Sequence, residues 1–206
     1  MSFQSVHDML VPPGQVRKQK FWDFFDGDSL RSWWTEADGA GTGSGAMADE
    51  VDGGYQLTTG TSDNNWRRLT FDDLARHYEP TGSVFIIICN RDSTLSRFFA
   101  GLINPKNAAN QTILVDNDTD NTFYELATVD GSTINAVATS VTVDTTVRKH
   151  FGILNAASAK LSIDDTLEAI STSNLPTVKL QPIFAVQTRT TAARTGNIRR
   201  YEAYNT

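Results

Sequence analysis

The sequence predicts an all-β protein, an antiparallel sandwich, on three observations. About a dozen short β-rich runs recur along the chain, separated by Gly, Asn, Asp and Ser punctuation. No window of 11 or more residues holds an apolar period of 3.6, so the strands do not alternate with helices as a parallel α/β sheet requires. At 206 residues with 39% hydrophobic content, the chain can bury one sizeable core and is too short to suggest two.

The runs fall at 21–25, 32–35, 55–59, 66–71, 83–90, 97–104, 111–115, 122–128, 134–143, 147–154, 160–163, 183–188 and 197–204. Residues 1–20 stand apart as an N-terminal arm, because Pro12-Pro13-Gly14 interrupts any periodicity and the first aromatic cluster begins at Phe21. The domain proper is then 21–206. Gly39 to Gly45 is a Gly/Ser-rich segment and reads as a slack loop. Asp72-Asp73-Leu74-Ala75-Arg76 has the acidic start of a single helical turn. The apolar run Val84 to Cys89 places the only cysteine in the core as an inert thiol, which excludes an internal disulfide. Asp130-Gly131 is a tight-turn dipeptide between two runs. Phe151 and Ile153, with Leu161 and Ile163 after the turn at 155–158, are expected on one face of a hairpin.

Charge restricts the partners. The net is −6, which disfavours a phosphate-tracking nucleic-acid coat. No apolar stretch approaches the roughly 18 residues of a membrane span, and the first 20 residues have no signal-peptide apolar region. The ends are basic: Arg17, Lys18 and Lys20 against Asp8 give +2, and Arg189, Arg194, Arg199 and Arg200 against Glu202 give +3, leaving −11 for the residues between. An acidic body with basic ends can dock on copies of itself, so Arg17, Lys18, Lys20, Arg194, Arg199 and Arg200 are the candidate assembly residues. Strand alternation allows at most one of Arg199 and Arg200 on the core side.

The opening Phe24-Phe25-Asp26-Gly27-Asp28-Ser29-Leu30 with Trp33-Trp34, and the later Lys149-His150-Phe151-Gly152-Ile153, Ala159 to Leu167 and Leu175-Pro176, resemble the concanavalin A-like lectin/glucanase superfamily, which includes laminin G-like modules. Asp165 stands where the superfamily's turn usually has Gly. The tail, Leu180 to Thr188 and Ala192 to Tyr204, resembles members carried by tailed phages. The resemblance implies a jelly roll over 21–206. It also implies a virion component: a non-enzymatic capsid decoration (cement) or head-surface protein that binds the major capsid protein or another virion protein and neighbouring copies, as a homo-oligomer such as a trimer. The alternative it implies is a carbohydrate-binding adhesin or fibre domain for host glycans.

Glycosidases of that superfamily carry E-x-D-x-x-E, because two carboxylates must flank the scissile bond. An E-x-D occurs at Glu50-Val51-Asp52, but no second glutamate follows it. His7, His77 and His150 are dispersed, and are expected at the surface or at interfaces; there is no nucleophile elbow, phosphate loop or zinc-protease motif. Asp116, Asp118 and Asp120 alternate as calcium-loop ligands do, but Asn121 and Ala127 break the EF-hand pattern, so calcium is a weak candidate and no cofactor is expected. Trp33, Trp34 and Trp66, with Asn64 and Asn65, are the candidate glycan contacts, since sugar C–H faces pack on rings while amides bond hydroxyls.

Overall fold

The computed structural model describes residues 20–39, 42–48, 53–72, 78–104, 111–118, 121–131 and 133–206. Arg17, Lys18 and the rest of the arm to residue 19, as well as Asp120, Glu50 to Asp52, His7, His77 and most of the expected helical turn, lie outside the described residues.

The described residues form fifteen strands: β1 Lys20–Asp23, β2 Thr35–Asp38, β3 Ser44–Met47, β4 Tyr55–Thr58, β5 Trp66–Thr70, β6 Gly82–Arg91, β7 Ser96–Asn104, β8 Gln111–Asn117, β9 Phe123–Val129, β10 Ile134–Thr142, β11 Arg148–Asn155, β12 Ala159–Ile163, β13 Thr166–Ser171, β14 Gln181–Thr188 and β15 Thr195–Asn205. They make two antiparallel sheets. The first runs β13-β12-β11-β6-β15-β4-β3, with β1 also paired to β15; the second runs β10-β9-β8-β7-β14-β5-β2. The fold is the jelly-roll sandwich expected from the sequence. Phe85, Ile87, Leu161 and Tyr201 of the first sheet meet Leu102, Val115, Leu126 and Phe184 of the second in one apolar core.

The strand pattern departs from the sequence reading in three places. The run at 32–35 is a turn up to its last residue, closed by Trp34 N donating to Arg31 O at 3.0 Å, and β2 starts only at Thr35. Part of the Gly/Ser segment is a strand, because β3 pairs with β4. Just before it, a methyl at Gly43 would sit 2.6 Å from the Thr58 carbonyl oxygen, so close backbone approach accounts for that glycine better than slackness. β13 carries Leu167 and Ile170 about half exposed, and so lacks the buried-face alternation that marks a strand.

The β11–β12 hairpin has the opposite phase to the one expected. His150 pairs with Ile163 and Gly152 with Leu161, so Leu161 and Ile163 share the core face with His150, Gly152 and Leu154, while Phe151 and Ile153 face outward. The turn sets the register, and one residue of slip exchanges the faces. Gly152 is required inside: a methyl there would meet the Phe85 ring at 2.2 Å. Between β9 and β10, Asp130-Gly131 opens a four-residue connection, since Val129 pairs with Ile134. Between β12 and β13, Asp164 (φ 49°) and Asp165 (φ 70°) form a two-residue turn with both residues left-handed. Asp fills the place of Gly there, and Asp164 is held by the Lys149 N–H at 2.9 Å and Arg148 Nη1 at 2.7 Å.

His150 corrects the surface expectation. It is 1% exposed, against the Phe98 and Tyr124 rings, with Nδ1 unpartnered. Burial lowers its pKa from 6.5 to about 4.

Two outcomes follow from these packing arrangements. Asp165→Gly removes a left-handed non-glycine residue at the loss of an exposed pair with Lys149, and is expected to stabilise the domain by roughly 0.5–1 kcal/mol in urea denaturation. His150 binds its proton more readily in the unfolded chain than in the folded one. Its contribution to stability is therefore full above about pH 6.5 and is lost as the pH falls toward about 4. His150→Phe should flatten that part of the stability-against-pH curve.

Candidate functional site

A groove of about 320 Å³ lies at the free side of β1, lined by Lys20, Phe21, Trp22, Asp23, Phe24, Arg31 and Trp33. Its construction begins with β1. Phe21 and Asp23 pair with Ala203 and Tyr201, whose side chains are in the core, so Trp22 on the same strand points outward. Phe25 then takes a left-handed backbone (φ 50°), its N–H caught by Asp23 Oδ1 at 2.9 Å and its carbonyl by the Gly54 N–H at 2.9 Å. That reversal puts Phe25 in the core and Phe24 outside.

Asp23 is the hub of this corner. At 1% exposure it accepts from Phe25 N and from Trp34 Nε1 (3.0 Å), and Arg31 Nε stands 3.4 Å away. The Trp34 ring, 5% exposed, packs against Phe21, Phe25, Phe71 and Tyr201. Trp34 is therefore a core residue and not a glycan contact. Its neighbour Trp33 is turned out, edge-on to Phe21 at 5.8 Å.

Three rings stay open at the groove: Trp22 at 49%, Phe24 at 41% and Trp33 at 44% exposure. Each has a cation over it, Lys20 at 5.7 Å from Trp22, Arg200 at 5.0 Å from Phe24 and Arg31 at 5.5 Å from Trp33. Such a surface offers apolar ring faces with N–H donors at their borders, the combination that grips polyhydroxylated rings. Sequence reasoning found Trp33 and missed Trp22, Phe24 and Arg31. The available signal was the run Phe21-Trp22-Asp23-Phe24-Phe25, since a strand cannot turn all four rings to one side.

The other expected glycan residues lie elsewhere. Trp66 starts β5, while Phe71, just past its end, touches Trp34; four residues of strand place the two tryptophan sites roughly 13 Å or more apart. Asn65 is buried, accepting the Gly60 N–H at 2.8 Å. Asn64 is exposed, but its side chain takes Arg189 and its carbonyl takes Gln187 Nε2 at 3.0 Å. Trp66 is half-buried beneath the Arg68 guanidinium, 4.3 Å from the ring. Asn64 and Asn65 thus build the turn, and the five residues do not form one site.

Near that turn, Asp116 of β8 takes two hydrogen bonds from Arg97, at 2.6 and 3.1 Å, and Asp118 takes Arg189 Nε at 2.8 Å. These carboxylates already have guanidinium partners, and among the described residues no group of three or more His, Cys, Asp or Glu is placed to hold a metal ion. Of the calcium ligands suggested by the sequence, Asp116 and Asp118 are thus engaged by arginines, and Asp120 lies outside the described residues. Glu125, opposite Asp116 on β9, has its carboxyl pushed up by burial and then by the Asp116 charge.

The assembly candidates also separate. Lys20 belongs to β1 and not to the arm. Arg194 bonds Thr190 Oγ1 at 3.3 Å, and its backbone N–H goes to Thr59 Oγ1. A bulge between Ile198 and Arg200 changes the phase of β15, so Ile198 and Tyr201 both enter the core while Arg199 and Arg200 both stay out. Strand alternation alone allowed one of them inside. Arg200 is paired with Glu202, its Nε 2.6 Å from the carboxylate.

No protein-family model matches the chain, and no curated protein matches it. Solved structures do. A Bacillus licheniformis β-glucanase aligns with TM-score 0.65 at 10% identity, over 91% of this chain and 98% of its own. The Emp47p carbohydrate recognition domain aligns with TM-score 0.59 at 9% identity, over 90% and 94%. A Shewanella oneidensis MR-1 protein of unknown function aligns with TM-score 0.63 at 11% identity, over 91% and 86%. At these identities the likeness is one of fold alone, a jelly-roll sandwich of two antiparallel sheets.

Asp23→Ala is expected to cost about 2–4 kcal/mol, because two buried N–H groups lose a charged acceptor. Denaturant titration with tryptophan emission as readout checks it, and the emission of Trp34 should shift to the red.

Proposed function

We propose that this chain is a non-enzymatic saccharide-binding domain carried on a virion, with its sugar contact at the β1 groove. The observation that carries the reading is the trio of half-exposed rings, Trp22, Phe24 and Trp33, bordered by Lys20 and Arg31. Isolated exposed aromatics are common, whereas three around one groove form a platform for the C–H face of a sugar, with the amine and guanidinium positioned for its hydroxyls. The fold likeness to a carbohydrate recognition domain and to glucanases supports a saccharide as the ligand class. The absence of an E-x-D-x-x-E motif from the sequence supports binding without hydrolysis.

The virion location is supported by the resemblance of the tail, residues 180–188 and 192–204, to domains of tailed phages. There the partners are the major capsid protein or another virion protein, and glycan binding displays the particle to a host surface.

The test is a glycan-array screen followed by titration of tryptophan emission. At least one glycan class should bind, and Trp33→Ala should weaken it at least about tenfold with the melting temperature unchanged, since the ring is exposed. A flat response across the array sinks the reading. Mass spectrometry of purified particles tests the location, and absence of the chain from them removes it.

A further inference from the structure

We propose that the outward face of the first sheet is the interface of a two-fold dimer of this chain. The proposal does not rest on saccharide binding. β6 reads Val84 to Cys89 without a polar residue, the pattern of a strand covered on both faces. Phe85, Ile87 and Cys89 enter the core, which leaves Val84, Ile86 and Ile88 on the other side. Register extends that apolar surface across the sheet. One row runs Leu167, Ser162, Phe151, Ile86, Glu202 and Trp22; the next runs Ile170, Lys160, Ile153, Val84, Tyr204 and Lys20. Leu167 is 52% exposed, Ile170 48% and Trp22 49%. An antiparallel sheet with one solvated face is ordinarily polar on that side.

The occupant is a second copy because the face complements itself. A two-fold axis lying between the copies, parallel to the strands and midway between β6 and β11, sets β11 over the partner's β6, β12 over β15 and β13 over β1. Rows are kept. Phe151 then meets a second Ile86 and Leu167 meets the Trp22 ring, with Ile153 set over Val84, itself only 2% exposed within one chain. The Lys160 amine lies over the Tyr204 ring. Arg200, in the row of Ile88 and Lys149, faces the end of β12 where Asp164 hydrogen-bonds to Lys149. Phe151, Ile86, Leu167 and Trp22 thus find apolar counterparts, while Ile170 lies over the aliphatic stem of Lys20 and Ile88 over that of Lys149. Sheets stacked this way pack about 10 Å apart with strands nearly aligned. Trp33 and Arg31 sit beside β1, outside this overlap, whereas Trp22 and Lys20 of the groove are covered, so a sugar seated on Trp22 and the dimer exclude one another.

The experiment is sedimentation equilibrium of the full chain at micromolar concentration, followed by crosslinking. The expected mass is twice the 22.7 kDa of one chain, and Phe151→Glu should raise the dimer dissociation constant by at least about 100-fold without altering the circular dichroism. In the double variant Trp22→Cys with Leu167→Cys, the two thiols are about 24 Å apart within one chain, five strand spacings, and adjacent only between copies. A short bismaleimide should give a covalent dimer from the double variant and none from either single variant, while Cys89 is buried and does not react. A monomeric full chain, a dimer indifferent to Phe151→Glu, or equal crosslinking of the single variants would each overturn the proposal.

Discussion

The structure depends on where β15 inserts. This last strand lies between β6 on one side and β4 followed by β1 on the other, so the end of the chain closes the sheet that its beginning opened. None of these contacts is local, and although β11, β12 and β13 pair in sequence order, the sheet is joined from β6 to β4 and β1 only once β15 is in place. Tyr201, in the middle of β15, also reaches across the core to donate its hydroxyl to the Gly101 carbonyl of the second sheet. Arg91 adds a second tie between the layers, donating to the Ser96 carbonyl at 2.6 Å and to the Asn117 side chain. Burial lowers the pKa of its guanidinium, and the nearby Tyr124, Asp144 and Asp92 oppose that shift.

The groove follows from that closure. β1 has β15 on one side and nothing on the other among the described strands, so it is an edge. An edge strand crowded with rings must bury some and expose others. Asp23 decides which, by holding Trp34 inside and forcing the left-handed turn at Phe25 that leaves Phe24 out. Core stability and the aromatic platform therefore share one buried carboxylate. The outer face of the same sheet is apolar for a different reason, the unbroken run of β6, and the two surfaces meet at Trp22.

Much of the fold was legible in the sequence. Strong β-branched and aromatic runs such as 83–90 and 97–104 appear as strands within a residue or two of where they were expected, because burial there is dense on at least one side. β3 and β13 were not legible, since glycine and exposed leucine carry no alternation and their pairing comes from neighbours distant in sequence. The candidate site was half legible. Tryptophan marks a site worth inspecting, but Trp33 and Trp34 are adjacent and have opposite fates, which only the turn before β2 and the Asp23 acceptor decide. The carboxylates at 116 and 118 have the spacing of metal ligands, and that spacing does not reveal Arg97, from β7, or Arg189, just past the end of β14.

By itself the sequence determined the class of the protein: one all-β sandwich with acidic body, buried thiol and no helical layer. Those properties are sums over local preferences, apolar content and charge, and they need no knowledge of which strand lies beside which. Tertiary structure decided the phase of the β11–β12 hairpin, the burial of His150, the outward turn of both Arg199 and Arg200, and the gathering of Trp22, Phe24 and Trp33. Each hinges on register, where one residue of slip exchanges inside for outside. Register is set by turns, bulges and partners supplied from the far end of the chain.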